Sequence, residues 1–318
     1  MKNRSSQQPA TMRVAIVGAG GFARILAQYI SQTHSVLVLS TQPRPEVDEQ
    51  CPNCQLVVVD YQDVENLRYA VQGADLIIST ISGAEQLNLI DAARRARVRR
   101  FVPSEFEGEM ARRPTDDPLD RGGQSAIEML EQAHMRYTIF SCGIFMERFA
   151  PGGLQTYHIG AGSGIQGPSD YLVDIQDRNA EVIPNNPSGR SVRISLTSVY
   201  DVAQFVTAAI DLGIGNWPRE YRMRGDSMTV TDLVHTCSDM RGVPFNLTAR
   251  HYREVEAQVE ELRQNGDWGY YYFYYQRLLQ TALGRYHIHS PNLNDDVGTQ
   301  VQPMSFRAWL ERFWGAEA

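Results

Sequence analysis

A short apolar strand that runs directly into a glycine-rich turn and then a helix lies near the start of this chain. The strand is Val14–Val17, and Gly18, Gly20 and Gly21 follow it before a helical pattern begins at Phe22. In this setting the first glycine permits a tight turn, and the next ones leave room for a pyrophosphate beside the helix N-terminus. The pattern therefore predicts a dinucleotide-binding unit. Its register stays open between Gly18, Gly20 and Ala23 (G-x-G-x-x-A) and Gly18 and Gly21 with Arg24 in place of a third glycine.

Short β-branched runs alternate with amphipathic helical patterns from Arg13 to about Phe140. This alternation is typical of βαβ units around a parallel sheet. It predicts an α/β protein with a Rossmann-type doubly wound sheet. The expected strands are Val14–Val17, Val36–Leu39, Leu56–Val59, Leu76–Thr80, Arg100–Val102 and Tyr137–Phe140.

The composition of the chain changes after Ala150, where loops rich in Gly, Pro, Ser and Asn begin. We predict a flexible N-terminus at 1–12 and a Rossmann domain at 13–150. Because 198–212 is an amphipathic helical pattern and 221–223 a strand pattern, we expect 195–225 to return to that domain. Segments 151–194 and 226–318 would form a smaller, mostly helical substrate lobe.

Charge and hydropathy limit the classes of partner. The chain has 318 residues and a net charge of −7, so neither nucleic acid nor an anionic membrane is an expected partner. No apolar run is long enough to span a bilayer, and residues 1–12 do not resemble a secretory leader. We expect a cytoplasmic protein that binds a small-molecule substrate, as a monomer or a homodimer.

The cysteines and histidines do not predict a metal site. Cys51 and Cys54 form a C-x-x-C in a polar loop, with no second pair at zinc spacing. Structural or incidental thiols are favoured, with redox or metal use as the alternative. His287 and His289 have no third ligand near them in the sequence.

The end of the second strand indicates which nicotinamide cofactor is preferred. A site for NAD(H) usually places a carboxylate there against the ribose 2′-hydroxyl. This chain has Ser40, Thr41, Gln42, Pro43 and Arg44 instead. Because Arg44 offers a planar donor fork to a 2′-phosphate, NADP(H) is favoured. The alternative is that Arg44 is a solvated loop charge.

At this point the chain resembles a known family, the NmrA-like and isoflavone-reductase-like atypical short-chain dehydrogenases of plant lignan metabolism and of fungi. We expect a fungal source. The resemblance covers nearly the whole chain and is carried by VAIVGAGGFARIL (14–26), RRFVPSEF (99–106), YTIFSCGIFMERF (137–149), TSVYDVAQF (197–205) and the closing PNLNDDV and SFRAWLERFW.

The resemblance implies NADPH as cofactor and a role for five short segments. These would bind the pyrophosphate, the adenosine ribose, the adenine, the nicotinamide-side ribose and the nicotinamide, in that order: Gly18, Gly20, Gly21, Phe22 and Ala23 to Arg24; Ser40, Thr41 and Arg44; Asp60 and Tyr61; Thr80, Ile81 and Ser82 to Gly83; Gly143, Ile144 and Phe145. Each also has a structural alternative. Asp60 could cap a helix, and Gly143 could be a turn residue.

One residue of the family pattern is missing. The reductases of the family carry a catalytic lysine shortly after the PSEF motif, and Gly123 stands at that position here. The only lysine of the chain is Lys2. Arg121, which could orient a substrate or stabilise developing negative charge, and Glu105, at the end of a strand, are the candidate catalytic residues. A helix-capping or turn role is the alternative for Glu105.

These features together predict an NADPH-dependent oxidoreductase of a small aromatic or heterocyclic metabolite, such as an imine, an enone or a benzylic ether. It would work without the family lysine, and reduction coupled to cyclisation is an option. The alternative is a non-catalytic NAD(P)-sensing regulator. The tyrosine-rich run 270–275 is expected to pack one helical face into the core, or to form a wall for a flat substrate. That face consists of Tyr271, Tyr274, Tyr275, Leu278 and Leu279.

Overall fold

The computed structural model describes residues 11–161, 167 and 170–315. Residues 1–10, which include Lys2 and most of the segment predicted to be flexible, lie outside the described residues. So do 162–166, 168 and 169, which belong to the glycine-rich loop expected after Ala150.

Thirteen strands and twelve α-helices occur in the described part of the chain. The strands are β1 Arg13–Val17, β2 Ser35–Ser40, β3 Cys54–Val58, β4 Leu76–Ser79, β5 Arg100–Val102, β6 Ile139–Ser141, β7 Ile144–Phe145, β8 Val173–Asp174, β9 Asn179–Val182, β10 Arg193–Thr197, β11 Glu220–Arg222, β12 Asp226–Thr229 and β13 Asn246–Ala249. The helices are α1 Gly21–Ile30, α2 Pro45–Gln50, α3 Val64–Ala70, α4 Ala84–Arg95, α5 Gly123–Gln132, α6 Gly153–Thr156, α7 Val199–Asp211, α8 Val230–Arg241, α9 Tyr252–Gln264, α10 Tyr270–Ala282, α11 Asn292–Val297 and α12 Phe306–Trp314.

The first five strands form one parallel sheet in the order β3-β2-β1-β4-β5. Val14 is opposite Val36 on one side and Leu76 on the other. A parallel sheet is covered on both faces, so its strands are apolar throughout, and β1 is buried from Val14 to Val17. This order matches the first five positions of the 3-2-1-4-5-6 order of Rossmann sheets, which confirms the predicted fold class.

The helices between these strands follow from the apolar spacing of the sequence. In α1, Phe22, Ile25, Leu26 and Ile30 are buried along one side. Asp63 caps α3 by accepting from the backbone N–H groups of Glu65 and Asn66. Cys51, directly after α2, and Cys54, the first residue of β3, are joined by a disulfide, so that neither is the free thiol that the sequence favours.

Two compact units make up the chain, and both are discontinuous. The first contains 1–104, 122–139 and 203–220, and the second contains 105–121, 140–202 and 221–318. Residues 203–220, expected to return to the Rossmann domain, lie in the first unit, whereas 105–121 and 140–150 lie in the second. The division into a cofactor domain and a substrate lobe stays a prediction.

The described part of the second unit includes two three-stranded sheets and the C-terminal helices. Its sheets have the orders β12-β10-β7 and β13-β9-β8, with Leu196 of β10 opposite Ile144 of β7. On α10, Tyr272, Tyr274 and Tyr275 are buried, whereas Tyr271 is 62% exposed. One face of the tyrosine-rich helix thus packs into the core, as expected, with Tyr272 rather than Tyr271 among its buried residues.

No helix within the described ranges is long and apolar enough to cross a membrane. The cytoplasmic location stays a prediction.

Candidate active site

The glycine turn after β1 has the tight geometry that its sequence predicts. Gly18 has φ +112, and its backbone N–H donates to the carbonyl of Leu39 at 2.9 Å. A Cβ at this position would lie 2.1 Å from Thr80 Oγ1. That hydroxyl donates to the Val17 carbonyl at 2.9 Å. The turn therefore admits only glycine, and it joins the ends of three neighbouring strands.

Helix α1 begins directly after this turn with its N-terminus available to an anion. Gly20 is the N-cap residue, no described side chain caps the helix, and no acidic residue lies in its first turn. The first N–H groups of a helix have no intrahelical partner and carry the positive end of the helix dipole. The chemistry of this turn fits a pyrophosphate.

Two arginines near the ends of β1 and β2 each have a buried side-chain nitrogen with no hydrogen-bond partner among the described residues. Arg24 Nε, in the first turn of α1, and Arg44 Nε, at the N-cap of α2, are buried without a hydrogen-bond partner among the described residues. Arg44 Nη1 lies 3.7 Å from Glu46, and the Arg44 side chain is 43% exposed. Such donors fit a phosphate group better than a neutral ribose hydroxyl.

Ser40 and Tyr61 close the end of β2. Ser40 is buried, and its hydroxyl accepts from the Gln42 backbone N–H at 3.3 Å. The Tyr61 hydroxyl donates to the Leu39 carbonyl at 2.9 Å. Burial raises the pKa of Tyr61 to about 12, and the charge of Glu85 is the second cause of this rise. Tyr61 is therefore a neutral donor that fixes the end of the strand.

Asp60 has a local structural role. Its carboxylate accepts from the backbone N–H of Gln62 at 2.8 Å, and its own N–H donates to the Asn66 side chain at 2.9 Å. This is a turn that a short acidic side chain stabilises. The helix cap itself is Asp63. Whether Asp60 also contacts an adenine stays a prediction.

The segment from Thr80 to Gly83 meets the start of α5 within the first unit. Gly83 has φ +67 and is the N-cap of α4, and Gly122 has φ +89 and is the N-cap of α5. A Cβ on Gly122 would lie 3.1 Å from Gly83 Cα. Gly123, at the position of the family lysine, is the first residue of α5 and is buried. That position therefore adjoins the segment expected to bind the nicotinamide-side ribose.

The remaining predicted cofactor residues belong to the second unit. Gly143 has φ +75, and a Cβ on it would lie 2.3 Å from the Ser195 carbonyl oxygen. Its N–H donates to the Glu107 carbonyl at 3.0 Å. Ile144 and Phe145 form β7 beside β10. Gly143 is thus required by its packing, and its role toward a nicotinamide stays a prediction.

The two predicted catalytic residues lie in an ionic cluster of the second unit. Glu105 is 8% exposed and forms an ion pair with Arg113. Arg113 also bonds to Asp120 at 3.2 Å. Burial raises the pKa of Glu105, although the Arg113 charge acts against this. The carboxylate is therefore held by a permanent cation, a geometry typical of a structural ion pair.

Arg121 belongs to the same ionic cluster and lies on the solvent-exposed side of that cluster. Its Nη2 lies 3.6 Å from Glu107 Oε1, and its side chain is 42% exposed. Glu107 also accepts from Arg285 at 2.9 Å. Burial acts to raise the pKa of Glu107, but the charges of Arg285 and then Arg121 outweigh it, so that this pKa is lowered. Arg121 remains accessible to a ligand, whereas Glu105 is enclosed.

Sequence reasoning missed the centre of this cluster. Arg285 is 1% exposed and bonds to Asp117 at 2.8 Å. The two residues are 168 positions apart, so no spacing could link them. A signal exists for Arg24, which lies three residues after Gly21, but this position in the glycine motif indicates the pyrophosphate and not the 2′-phosphate.

Comparison with known proteins places these features in a family. Residues 10–265 match the model of the NmrA-like family. Oxidoreductase BOA1 of Botryotinia fuckeliana (strain B05.10) is 26% identical over 277 residues, which are 81% of this chain and 87% of that protein. A bifunctional pinoresinol-lariciresinol reductase of Linum usitatissimum is 29% identical over 197 residues, 54% of this chain and 60% of its own length.

A solved structure confirms the fold independently. AtPrR2, described with NADP+ and (+)pinoresinol, superposes with a TM-score of 0.66 at 20% identity and covers 95% of this chain and 99% of its own. This chain belongs to the NmrA-like family. The resemblance that RFVPSEF and YTIFSCGIFMERF indicated is confirmed, and so is the Rossmann-type fold.

Proposed function

We propose that this protein is an NADPH-dependent oxidoreductase that reduces a small aromatic or heterocyclic metabolite, such as an imine, an enone or a benzylic ether, without the family's catalytic lysine. The observation that carries the proposal is the pair of buried, unsatisfied nitrogens on Arg24 and Arg44, at the strand ends beside the glycine turn. Two guanidinium groups fit the extra phosphate of NADPH. Several relatives and structural neighbours are named as reductases.

The residues present would divide the binding of NADPH between them. The turn at Gly18 and the N-terminus of α1 would hold the pyrophosphate, and Arg24 and Arg44 the 2′-phosphate. When bound, the nicotinamide supplies a hydride. Thr80, whose hydroxyl is fixed on the Val17 carbonyl, keeps the turn in its binding conformation.

The proton that accompanies the hydride is the point at which this chain departs from its family. Gly123 has no side chain to deliver it. Either a substrate that is already cationic, such as an iminium ion, needs no proton at the moment of reduction, or water supplies it. Arg121 would orient the substrate or stabilise developing negative charge, because its guanidinium stays protonated and is partly exposed. Glu105 is the second candidate catalytic residue, and its carboxyl would donate the proton.

A titration with NADPH and with NADH, followed by energy transfer from the tryptophans, tests the cofactor. Turnover is then followed as loss of the reduced-nicotinamide absorbance with electron-poor imines and enones. We expect tighter binding of NADPH and turnover of at least one substrate class. If neither nucleotide binds, the proposal is wrong. Product analysis by mass spectrometry would show whether reduction leads to ring closure.

The second candidate function is an NAD(P) sensor. The observation that favours it is that Gly123 stands at the position of the family's catalytic lysine. The variant Gly123→Lys returns the family's amine to the first residue of α5. Wild-type turnover that this variant does not improve supports the lysine-independent reductase. Binding of NADPH without turnover in the wild type, with turnover gained by Gly123→Lys, supports the sensor.

The roles of Arg121 and Glu105 need separate variants. For Arg121→Ala we expect kcat/KM to fall by about tenfold to a hundredfold while the Kd for NADPH is unchanged, since one charged hydrogen bond to the transition state is lost. Glu105→Gln keeps a hydrogen-bond acceptor for Arg113, and the pH dependence of turnover should change only if this carboxyl transfers a proton. If kcat/KM does not change with pH in either the wild type or Glu105→Gln, Glu105 is not the acid.

A further inference from the structure

A cavity lies in the first unit, on residues that the predicted cofactor site does not use. Its volume is about 550 Å³, within the range of small-molecule sites. Its walls come from the start of β5, the end of α5 with the segment after it, and the loop before β11. The lining residues are Arg100, Glu131, His134, Met135, Arg136, Tyr137, Trp217 and Arg219.

This cavity lies at the amino-terminal edge of the parallel sheet. Arg100 is the first residue of β5, and Tyr137 is bridged in parallel to Phe101. The glycine turn and Thr80 follow the carboxyl ends of β1 and β4. Strand β1 has five residues and therefore spans roughly 16 Å. A ligand in the cavity is separated from the dinucleotide site by about this length of strand.

The floor of the cavity is a fixed, buried guanidinium. Arg100 is 4% exposed, and its Nη1 donates to Thr138 Oγ1 at 2.7 Å and to the Trp217 carbonyl at 3.3 Å. Its Cζ lies 5.6 Å from the Trp217 ring centroid. The positive charge is thus held in one place below the cavity, away from bulk water, where it acts more strongly on an anion.

The rim carries further positive charge on exposed side chains. Arg219 Cζ lies 4.2 Å from the centroid of the Tyr137 ring. The Tyr137 hydroxyl donates to Glu131 at 2.8 Å, which holds that carboxylate on the wall. With Arg136, the lining has three arginines against one acid. The lining is therefore cationic in a chain whose net charge is −7.

We propose that this cavity binds a small organic anion that carries a carboxylate or phosphate group, separately from the dinucleotide. Arginine forks suit both groups. The volume leaves room for a ring or chain beside the anionic group. Arg219 would bind the anionic group at the rim, above the buried charge of Arg100. The site goes beyond the proposed reductase activity, because its ligand does not meet the nicotinamide.

The test is calorimetric titration of the protein saturated with NADP+, so that the dinucleotide site is already filled. One arm uses benzoate as the carboxylate probe, and the other uses adenosine monophosphate as the phosphate ester. We expect saturable binding in at least one arm, and the arm that binds identifies the anionic group. The absence of binding in both arms overturns the proposal.

Variants assign any binding to this cavity. Arg219→Gln removes an exposed rim charge and should raise the Kd by about tenfold or more. Arg68→Ala is the matched control, because Arg68 lies 4.4 Å from the Tyr69 ring in the same kind of stacked pair outside the cavity. Equal Kd values for wild type and Arg219→Gln overturn the assignment, and so does probe binding that is measured without NADP+ and lost in the NADP+-saturated protein. Arg136→Ala, also on the rim, provides a second variant with the same expectation.

Discussion

The Cα of Gly18 and the hydroxyl of Thr80 approach so closely that a methyl group on Gly18 would lie 2.1 Å from Thr80 Oγ1. Because Gly18 also has φ +112, a side chain there would meet both a steric clash and backbone strain. The turn at the end of β1 is therefore fixed by two independent constraints.

Gly18→Ala should lower the free energy of unfolding by about 2–4 kcal/mol, the sum of strain and overpacking. It should also abolish measurable NADPH binding, since the turn must move. Gly213→Ala is the control: it has φ +89, and a Cβ there meets nothing within 4 Å. Urea unfolding and NADPH titration check both variants. Equal losses in the two would show that the contact with Thr80 is unimportant.

Arg44→Ala tests cofactor choice. Losing one charge-assisted contact to the 2′-phosphate should raise the Kd for NADPH by about tenfold to a hundredfold. NADH lacks that phosphate, so its Kd should not change. Arg24→Ala should behave in the same way. Arg68→Ala changes a half-buried arginine of α3 that pairs with Glu65 and should change neither Kd. An equal loss of NADPH and NADH affinity would exclude a 2′-phosphate role.

The sequence predicted the parallel sheet well because its signals are local. The glycine turn after Val17 and the apolar strands β1 to β5 can each be identified within a few residues. The strand after α5 differs from its prediction: the sequence predicts Tyr137–Phe140, whereas β6 is Ile139–Ser141 and pairs with β11 outside the five-stranded sheet. Tyr137 makes only an isolated bridge to Phe101. Hydropathy does not show at which residue such strand pairing begins or ends.

Arg285 tests the buried ionic cluster of the second unit. Arg285→Met removes the charge that bonds to Asp117 at 2.8 Å and to Glu107 at 2.9 Å. The carboxylates left behind are costly to keep ionised, so the free energy of unfolding should fall by about 3–5 kcal/mol at neutral pH. Arg307→Met, which breaks an exposed pair with Asp239, should cost less than about 1 kcal/mol. Urea unfolding of both variants measures the difference.

This cluster could not be predicted, because its members share no local pattern. Glu105 and Arg121 were selected from a strand end and from the position of the missing lysine. Their partners Arg113 and Arg285 are identified only by the folded chain. The enclosed position of Glu105 follows from those partners, so its role as an acid could not be judged from sequence alone.

Asp201 gives a prediction about pH. It is 4% exposed and accepts from the Met304 backbone N–H at 2.9 Å. Burial raises its pKa to about 6. The folded protein therefore holds this proton more tightly than the unfolded chain does, and the contribution of Asp201 to stability falls as pH rises from about 4 to about 6.

Asp201→Asn removes this titration while keeping an oxygen for Met304. Relative to wild type, the variant should gain up to roughly 3 kcal/mol between about pH 4 and about pH 7, from a shift of about two pKa units. Urea unfolding of both proteins across this range measures the difference. A stability difference that stays constant with pH would show that Asp201 has an ordinary pKa.

The interleaving of the two units along the chain limits how the protein can be dissected. The backbone passes from one unit to the other five times, at residues 104, 121, 139, 202 and 220. A gene fragment that ends near residue 150 would lack 203–220 of the first unit and would carry an incomplete part of the second. Chimeras that exchange one unit with a relative therefore require several junctions, and natural recombination at a single crossover would rarely preserve either unit.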